Sequence, residues 1–264
     1  MTTNAVSMRN NFSETWLSLR FELLKHLKRR RLLILVALAV LLPLLPLIRT
    51  PDTAVGFAGN SLSFMTVLII VSAAMFAGDA VCGEFEKKTS LLLFPTPQSR
   101  SSIFAGKYLA ALVCTFLVVT LWYVVLTLET GALYGWGEMP ADMWKSFVTA
   151  LLFSTAAVGV AFLVSSAFKR SISATILVFL ILMMIMPVIT MIMTLLESEP
   201  WFIVTYSANL ITTVLGTSSR LPMGPHGDFV QQFTPTLGTG IAVMAAYATV
   251  CLAAGMSIAV RKED

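Results

Sequence analysis

At 264 residues, 57% of them hydrophobic and only 12% charged, with a mean hydropathy of +0.83, the chain is too apolar for a soluble domain, which carries about a quarter charged residues. The net charge of +4 does not point to nucleic acid, because the basic residues sit between long apolar runs. No nucleic-acid partner is expected. Three cysteines, Cys82, Cys114 and Cys251, are too few and too scattered for a disulfide framework or a zinc site.

Residues 1–31 form a cytoplasmic or interfacial segment. Within it, 13–31 predicts an amphipathic helix in the headgroup plane: Trp16, Leu17, Leu19, Phe21, Leu23, Leu24 and Leu27 make an apolar arc. Ser18, Glu22, Lys25 and His26 lie opposite, Ser13 is the N-cap, and the basic run from Lys28 faces anionic lipid.

A spanning helix needs about 20 mostly apolar residues. Six stretches qualify, near 32–48, 62–78, 108–128, 147–168, 172–196 and 237–260, and none contains an Asp, Glu, Lys, Arg or His. Pro43, Pro46 and Pro187 predict kinks. Met183, Met184, Met186, Met191 and Met193 crowd the fifth span and are read as packing residues rather than copper ligands. Gly240, Ala245, Ala248 and Ala253 on the sixth span suit close helix approach. A cleaved signal peptide is not expected, given the 31 residues before the first span and the lack of a convincing small-x-small site after Ile48.

Between the second and third spans lies a loop, 79–107, mixing acids, bases and apolar residues. Its 82–94 part supports a helix, ended by Pro95 and Pro97. Two amphipathic pieces meeting at this break predict a rigid elbow able to receive force. The 197–236 connection predicts a partly re-entrant helix over 201–215, followed by turns at Gly216, Pro222, Gly224, Pro225 and Gly227.

Orientation follows from loop Lys and Arg. Fifteen of the 18 basic residues, with seven acids, fall on the side of the termini, a net +8; three, with seven acids, fall on the other, a net −4. Both termini, including the 261–264 tail, are therefore expected in the cytoplasm, with the chain in the cell membrane. Arg100 and Lys107 are read as interfacial anchors whose heads reach toward the headgroups.

The stretch 78–107, GDAVCGEFEKKTSLLLFPTPQSRSSIFAGK, resembles the first cytoplasmic loop of ABC-2 type transporter permeases. The matching positions are Asp79, Gly83, Glu84, Glu86, Thr89, Leu92, Leu93, Pro97, Ser99, Arg100, Gly106 and Lys107. Departures are Phe85, where a basic residue is common, and Lys88, where glycine is common. The resemblance implies an all-α fold of six transmembrane helices (32–260) with an N-terminal interfacial helix, a cytoplasmic coupling helix over 79–94 and an external segment. It also implies a second copy or a paralogue as membrane partner, and two separate ATPase subunits carrying ATP and Mg. On that reading Asp79, Gly83, Glu84, Phe85, Glu86, Lys87 and Thr89 contact the ATPase. Glu84 and Glu86 meet basic groups there and Phe85 fills an apolar notch, while Pro95, Pro97, Arg100 and Lys107 form the elbow and its interface.

No G-x-x-x-x-G-K-[ST] occurs in the chain, so it has no usual cradle for ATP phosphates. It is expected to be no enzyme itself and to hold no metal or cofactor. The expectation is a permease subunit exporting an amphipathic or lipid-linked substrate. The alternatives are a permease-like mechanical transducer acting on an external partner through 197–236, and an ion-coupled carrier, disfavoured by the uncharged spans. An intramembrane protease is disfavoured because His26, His226 and every Asp lie outside the predicted spans.

Overall fold

The computed structural model describes residues 2–86, 98–216 and 233–262. Every regular element among them is helical, with no strand. In chain order these are α1 (Thr2–Leu27), α2 (Arg30–Leu41) with a 3-10 turn at Leu45–Arg49, α3 (Ala54–Ala77), α4 (Cys82–Glu86), α5 (Arg100–Tyr134) and α6 (Met143–Ala167). Then come α7 (Ser171–Leu180), joined through a π-helical turn at Ile181–Ile185 to α8 (Met186–Leu195), and α9 (Val204–Ser207), α10 (Leu210–Thr213) and α11 (Leu237–Arg261).

Six stretches among the described residues are long and apolar enough to cross a membrane: Arg30–Ile48, Ala54–Glu86, Arg100–Tyr134, Met143–Ala167, Ser171–Leu195 and Leu237–Arg261. The chain is thus a multi-pass membrane protein built of helices. Each predicted span falls inside one of these stretches or shares most of it, but two helices are longer than their apolar runs. Thr53 caps α3, accepting from the Gly56 N–H at 3.2 Å, and the small residues after it carry the helix from Ala54. Ser99 caps α5, accepting from Ser102 N–H at 3.3 Å, and the helix stops only at Gly135, whose φ of +92° suits glycine. As a result α5 extends past the charge-free run 108–128 at both ends and contains Lys107 and Glu129: apolar length marks where the run ends, whereas caps mark where the helix ends.

The prolines act locally. The first spanning stretch changes from α to 3-10 winding around Pro43 and Pro46, and Pro187 sits in the first turn after the π turn, where a missing N–H is tolerated.

The core lies among α3, α5 and α6, whose inward faces carry Phe57, Met65, Phe76, Phe104, Trp122, Phe153 and Phe162, all fully buried. α11 lies along α6, with Gly159 against Ala248 and Cys251. A Cβ on Gly255 would come within 2.8 Å of Phe162. Gly240 likewise abuts Leu210, while Ala245 and Ala253 face outward. In the π turn and α8, Met184 and Met191 also face outward. The single re-entrant helix expected over 201–215 is instead two short helices, α9 and α10, split at Ala208 and Asn209. Their apolar residues Val204, Tyr206, Leu210 and Ile211 are buried against the bundle.

Candidate functional site

Charged residues far apart in the sequence, Glu22, Lys25, Arg29, Asp79, Glu84 and Lys107, converge at the end of the bundle where both termini lie. α1 crosses α5 at Gly106, where a Cβ would meet the Ser18 side chain at 2.6 Å; only hydrogen fits there. Ser18 donates to the Ile103 carbonyl at 3.3 Å, and Glu14 accepts from the Ser99 N–H at 3.0 Å. One turn and two turns beyond Ser18, on the same face, come Glu22 and Lys25 with His26.

These side chains close a buried ion network. Lys107, only 3% exposed in its side chain, donates to Glu22 and, at 2.7 Å, to Glu84. Lys25 stands 3.2 Å from both carboxylates. Next to it Arg31 pairs with Asp79 at 2.7 Å and also reaches the Met75 carbonyl at 3.3 Å, with Arg29 at 3.5 Å from the same carboxylate. A cavity of about 120 Å³ lies among Glu22, His26, Asp79, Gly83 and Glu84.

Burial would raise the Glu22 carboxyl, but Lys107 and Lys25 outweigh it and hold the group below the ordinary carboxylate range. Burial pushes the His26 imidazole down to about 4, with Glu22 opposing and Arg29 adding to the shift, so His26 is neutral near pH 7. Its ring meets Phe76 edge-on at 5.3 Å.

α4 is fastened to five further elements. Its first turn gives the Val81 and Cys82 N–H groups to the Ser165 hydroxyl of α6, at 3.0 and 3.3 Å. Glu84 ties it to α1 and α5. Glu86 accepts the Ser171 N–H at 2.8 Å, at the start of α7. Phe85 lies under the Lys262 ammonium at 5.0 Å, and Lys262 also donates to the Ser166 and Phe168 carbonyls at the end of α6, at 3.0 and 2.5 Å.

Of the residues singled out from sequence, Asp79, Gly83, Glu84 and Lys107 come together around one cavity, and Phe85 and Glu86 lie beside it. Arg100 is exposed in the first turn of α5. Lys87, Thr89, Pro95 and Pro97, and with them the elbow and most of the 82–94 helix, lie outside the described residues. Lys107 is no interfacial anchor reaching for headgroups: two carboxylates hold it inside the protein. The α1 helix runs Thr2–Leu27 rather than over 13–31, so Ser13 lies within it and is not its N-cap, but the two faces of the wheel stand as expected. Its polar stripe faces α5 and α3, while Trp16, Phe21, Leu24 and Leu27 are exposed. Glu22, Lys25 and His26, read from sequence only as the polar face of an amphipathic helix, and Arg31 and Ser165 join the site in the structure. The spacing of Ser18, Glu22 and Lys25 was the available signal; a lone Ser165 in an apolar run gave none.

No group of three or more His, Cys, Asp or Glu able to hold a metal occurs among the described residues. Comparison with curated proteins finds no match. Residues 32–264 match the DUF2705 family, described as a protein of unknown function, and the chain belongs to that family.

Proposed function

We propose that the chain is the membrane-spanning permease subunit of an ATP-driven transporter of the ABC-2 type. It would sit in the cell membrane with both termini cytoplasmic and export an amphipathic or lipid-linked substrate. Separate ATPase subunits, two per complex, would dock at α4 and the residues after it and supply ATP and Mg. A second copy or a paralogue of this permease would complete the membrane part.

The observation that carries this reading is the anchoring of α4. A helix of five residues, in the stretch that resembles the ABC-2 loop, is tied through Glu84 to α1 and α5, through Ser165 to α6, through Glu86 to α7 and through Phe85 to the end of α11. A push on α4 would therefore reach five elements at once and move them as a body, which is what coupling to a closing ATPase requires. Rigid transmission needs charges that stay paired under load, and Lys107 holding two carboxylates is such a joint. Glu84 is committed inside the chain, so the partner contact passes to the exposed Glu86 and the residues that follow it.

The test places a photo-reactive amino acid at position 86 and irradiates native membranes. The expected product joins this chain to a protein bearing a G-x-x-x-x-G-K-[ST] loop; a product profile with no nucleotide-binding chain sinks the reading.

One observation favours an ion-coupled carrier as the second reading. Both carboxylate oxygens of Glu129, within α5, are buried with no hydrogen-bond partner, and intramembrane carboxylates commonly serve ion pathways. Transport abolished by Glu129→Gln and by a protonophore, with ATP depletion harmless, would select the carrier.

A further inference from the structure

We propose that the groove between the C-terminal ends of α6 and α11 is a binding site for the phosphate of an anionic membrane lipid. This goes beyond the transport reading and does not depend on it. The two helices run parallel, pack closely along Gly159 and Gly255, and end side by side. Between their ends opens a groove of about 430 Å³ whose rim carries Lys169, Arg261 and Lys262, with Ala167 and Ile258 as an apolar wall.

Three cations around one opening need an explanation, because like charges held together repel. Lys262 has work elsewhere, donating to the Ser166 and Phe168 carbonyls, which suits a cation at a helix C-terminus. Lys169 and Arg261 have no carboxylate partner among the described residues. Burial first, with the neighbouring Lys169 charge adding to it, holds the Lys262 ammonium below its ordinary range. An anion in the groove relieves that crowding.

The position and shape select the anion. The groove sits where two membrane-length helices end, the level at which lipid phosphates lie. Its wall continues onto the outward face of α11, where Ile258 and Val250 are exposed and an acyl chain can lie. A basic rim above an apolar wall between spanning helices matches a phospholipid headgroup with its chain. A freely diffusing phosphate would gain nothing from the apolar half. Lipid carrying net negative charge is preferred over zwitterionic lipid because no acidic side chain among the described lining residues awaits a headgroup amine.

The experiment counts lipid retained per chain by native mass spectrometry of the full chain in detergent, titrated with phosphatidylglycerol or phosphatidylcholine. Lys169→Gln/Arg261→Gln is the test variant, leaving Lys262 on its carbonyls. Arg9→Gln/Arg20→Gln carries the same change in net charge on α1. The expected results are preferential retention of phosphatidylglycerol by the wild type, weakening by about tenfold in the test variant, and less than twofold change in the control. Inorganic phosphate at millimolar concentration should leave the retained lipid in place. Equal retention of the two lipids, or equal weakening in both variants, overturns the site. Displacement by inorganic phosphate would show a free-anion site and overturn the lipid assignment. A thermal midpoint of the test variant matching the wild type in phosphatidylcholine alone excludes loss of fold as the cause.

Discussion

The two ends of this helical bundle handle charge in opposite ways. At the end of the termini, two carboxylates and the Lys107 ammonium are taken out of water together, with Lys25 half-exposed at the edge, and each described member of the Glu22–Lys25–Glu84–Lys107 network touches an opposite charge. At the far end, Glu129 is buried without a donor, and the tie between α6 and the α9–α10 segment is neutral: Ser146 donates to the Ile211 carbonyl at 2.6 Å and meets the Tyr123 hydroxyl at 2.7 Å. Charged joints are strong only while complete, because removing one partner strands the others in low dielectric. Neutral joints fail more gently. The difference marks the terminal end as the place where the fold cannot yield locally, so force applied there travels.

That contrast is most easily broken at Lys107. Lys107→Met leaves Glu22 and Glu84 to share the half-exposed Lys25 alone and should cost up to about 3–5 kcal/mol, seen as a large drop in the thermal unfolding midpoint of the detergent-purified chain. Replacing all three, as Glu22→Gln/Glu84→Gln/Lys107→Met, should recover much of the loss. A single variant as stable as the wild type would show the network to be decoration.

Acid sharpens the comparison next. His26 is held at about 4 when folded, from an ordinary 6.5, so the unfolded chain takes up the proton first as pH falls. Its contribution is present above about 6.5 and is lost toward pH 4, on the order of 3 kcal/mol. The lowered Glu22 carboxyl adds a loss of the same sign below its ordinary value of 4.5. Midpoints measured from pH 7 to 4.5 should fall, and His26→Gln should flatten the slope between pH 6.5 and 4.5.

At the far end the effects are smaller. Ser146→Ala leaves the Ile211 carbonyl and the Tyr123 hydroxyl without their shared partner, costing about 1–3 kcal/mol. It should also speed protease cleavage in the α9–α10 segment. Glu129→Gln keeps the shape and removes a carboxylate that has no donor, so stability should hold or rise by up to about 1 kcal/mol; a marked loss would reveal a partner for that carboxylate.

Much of the architecture was legible because lipid imposes one simple rule, a long apolar run per crossing, and all six runs are helices in the structure. What the runs could not reveal was how far each helix continues past its apolar part: Thr53, Ser99 and Gly135 decide that, and they brought Lys107 and Glu129 inside. What the polar stripe of α1 packs against is hidden in the sequence for a related reason. A polar stripe at helical spacing looks the same whether it faces water or a buried lysine, and Lys107 lies 85 residues away from Glu22. Asp79, Glu84 and Glu86 were picked out by resemblance to a family loop; their mutual geometry, and the part played by Ser165, needed the packed helices.

The most direct measurement purifies this chain, tagged, from its native membranes in mild detergent and assays the eluate for vanadate-sensitive ATP hydrolysis. The account predicts hydrolysis that accompanies the wild-type chain and is lost, with the ATPase subunit itself, from Lys87→Glu/Lys88→Glu, which leaves the Glu86 tie to Ser171 in place, while that variant elutes with an unchanged thermal midpoint. An eluate rich in the folded wild-type chain with no ATP hydrolysis, or hydrolysis indifferent to the double charge reversal, would contradict it.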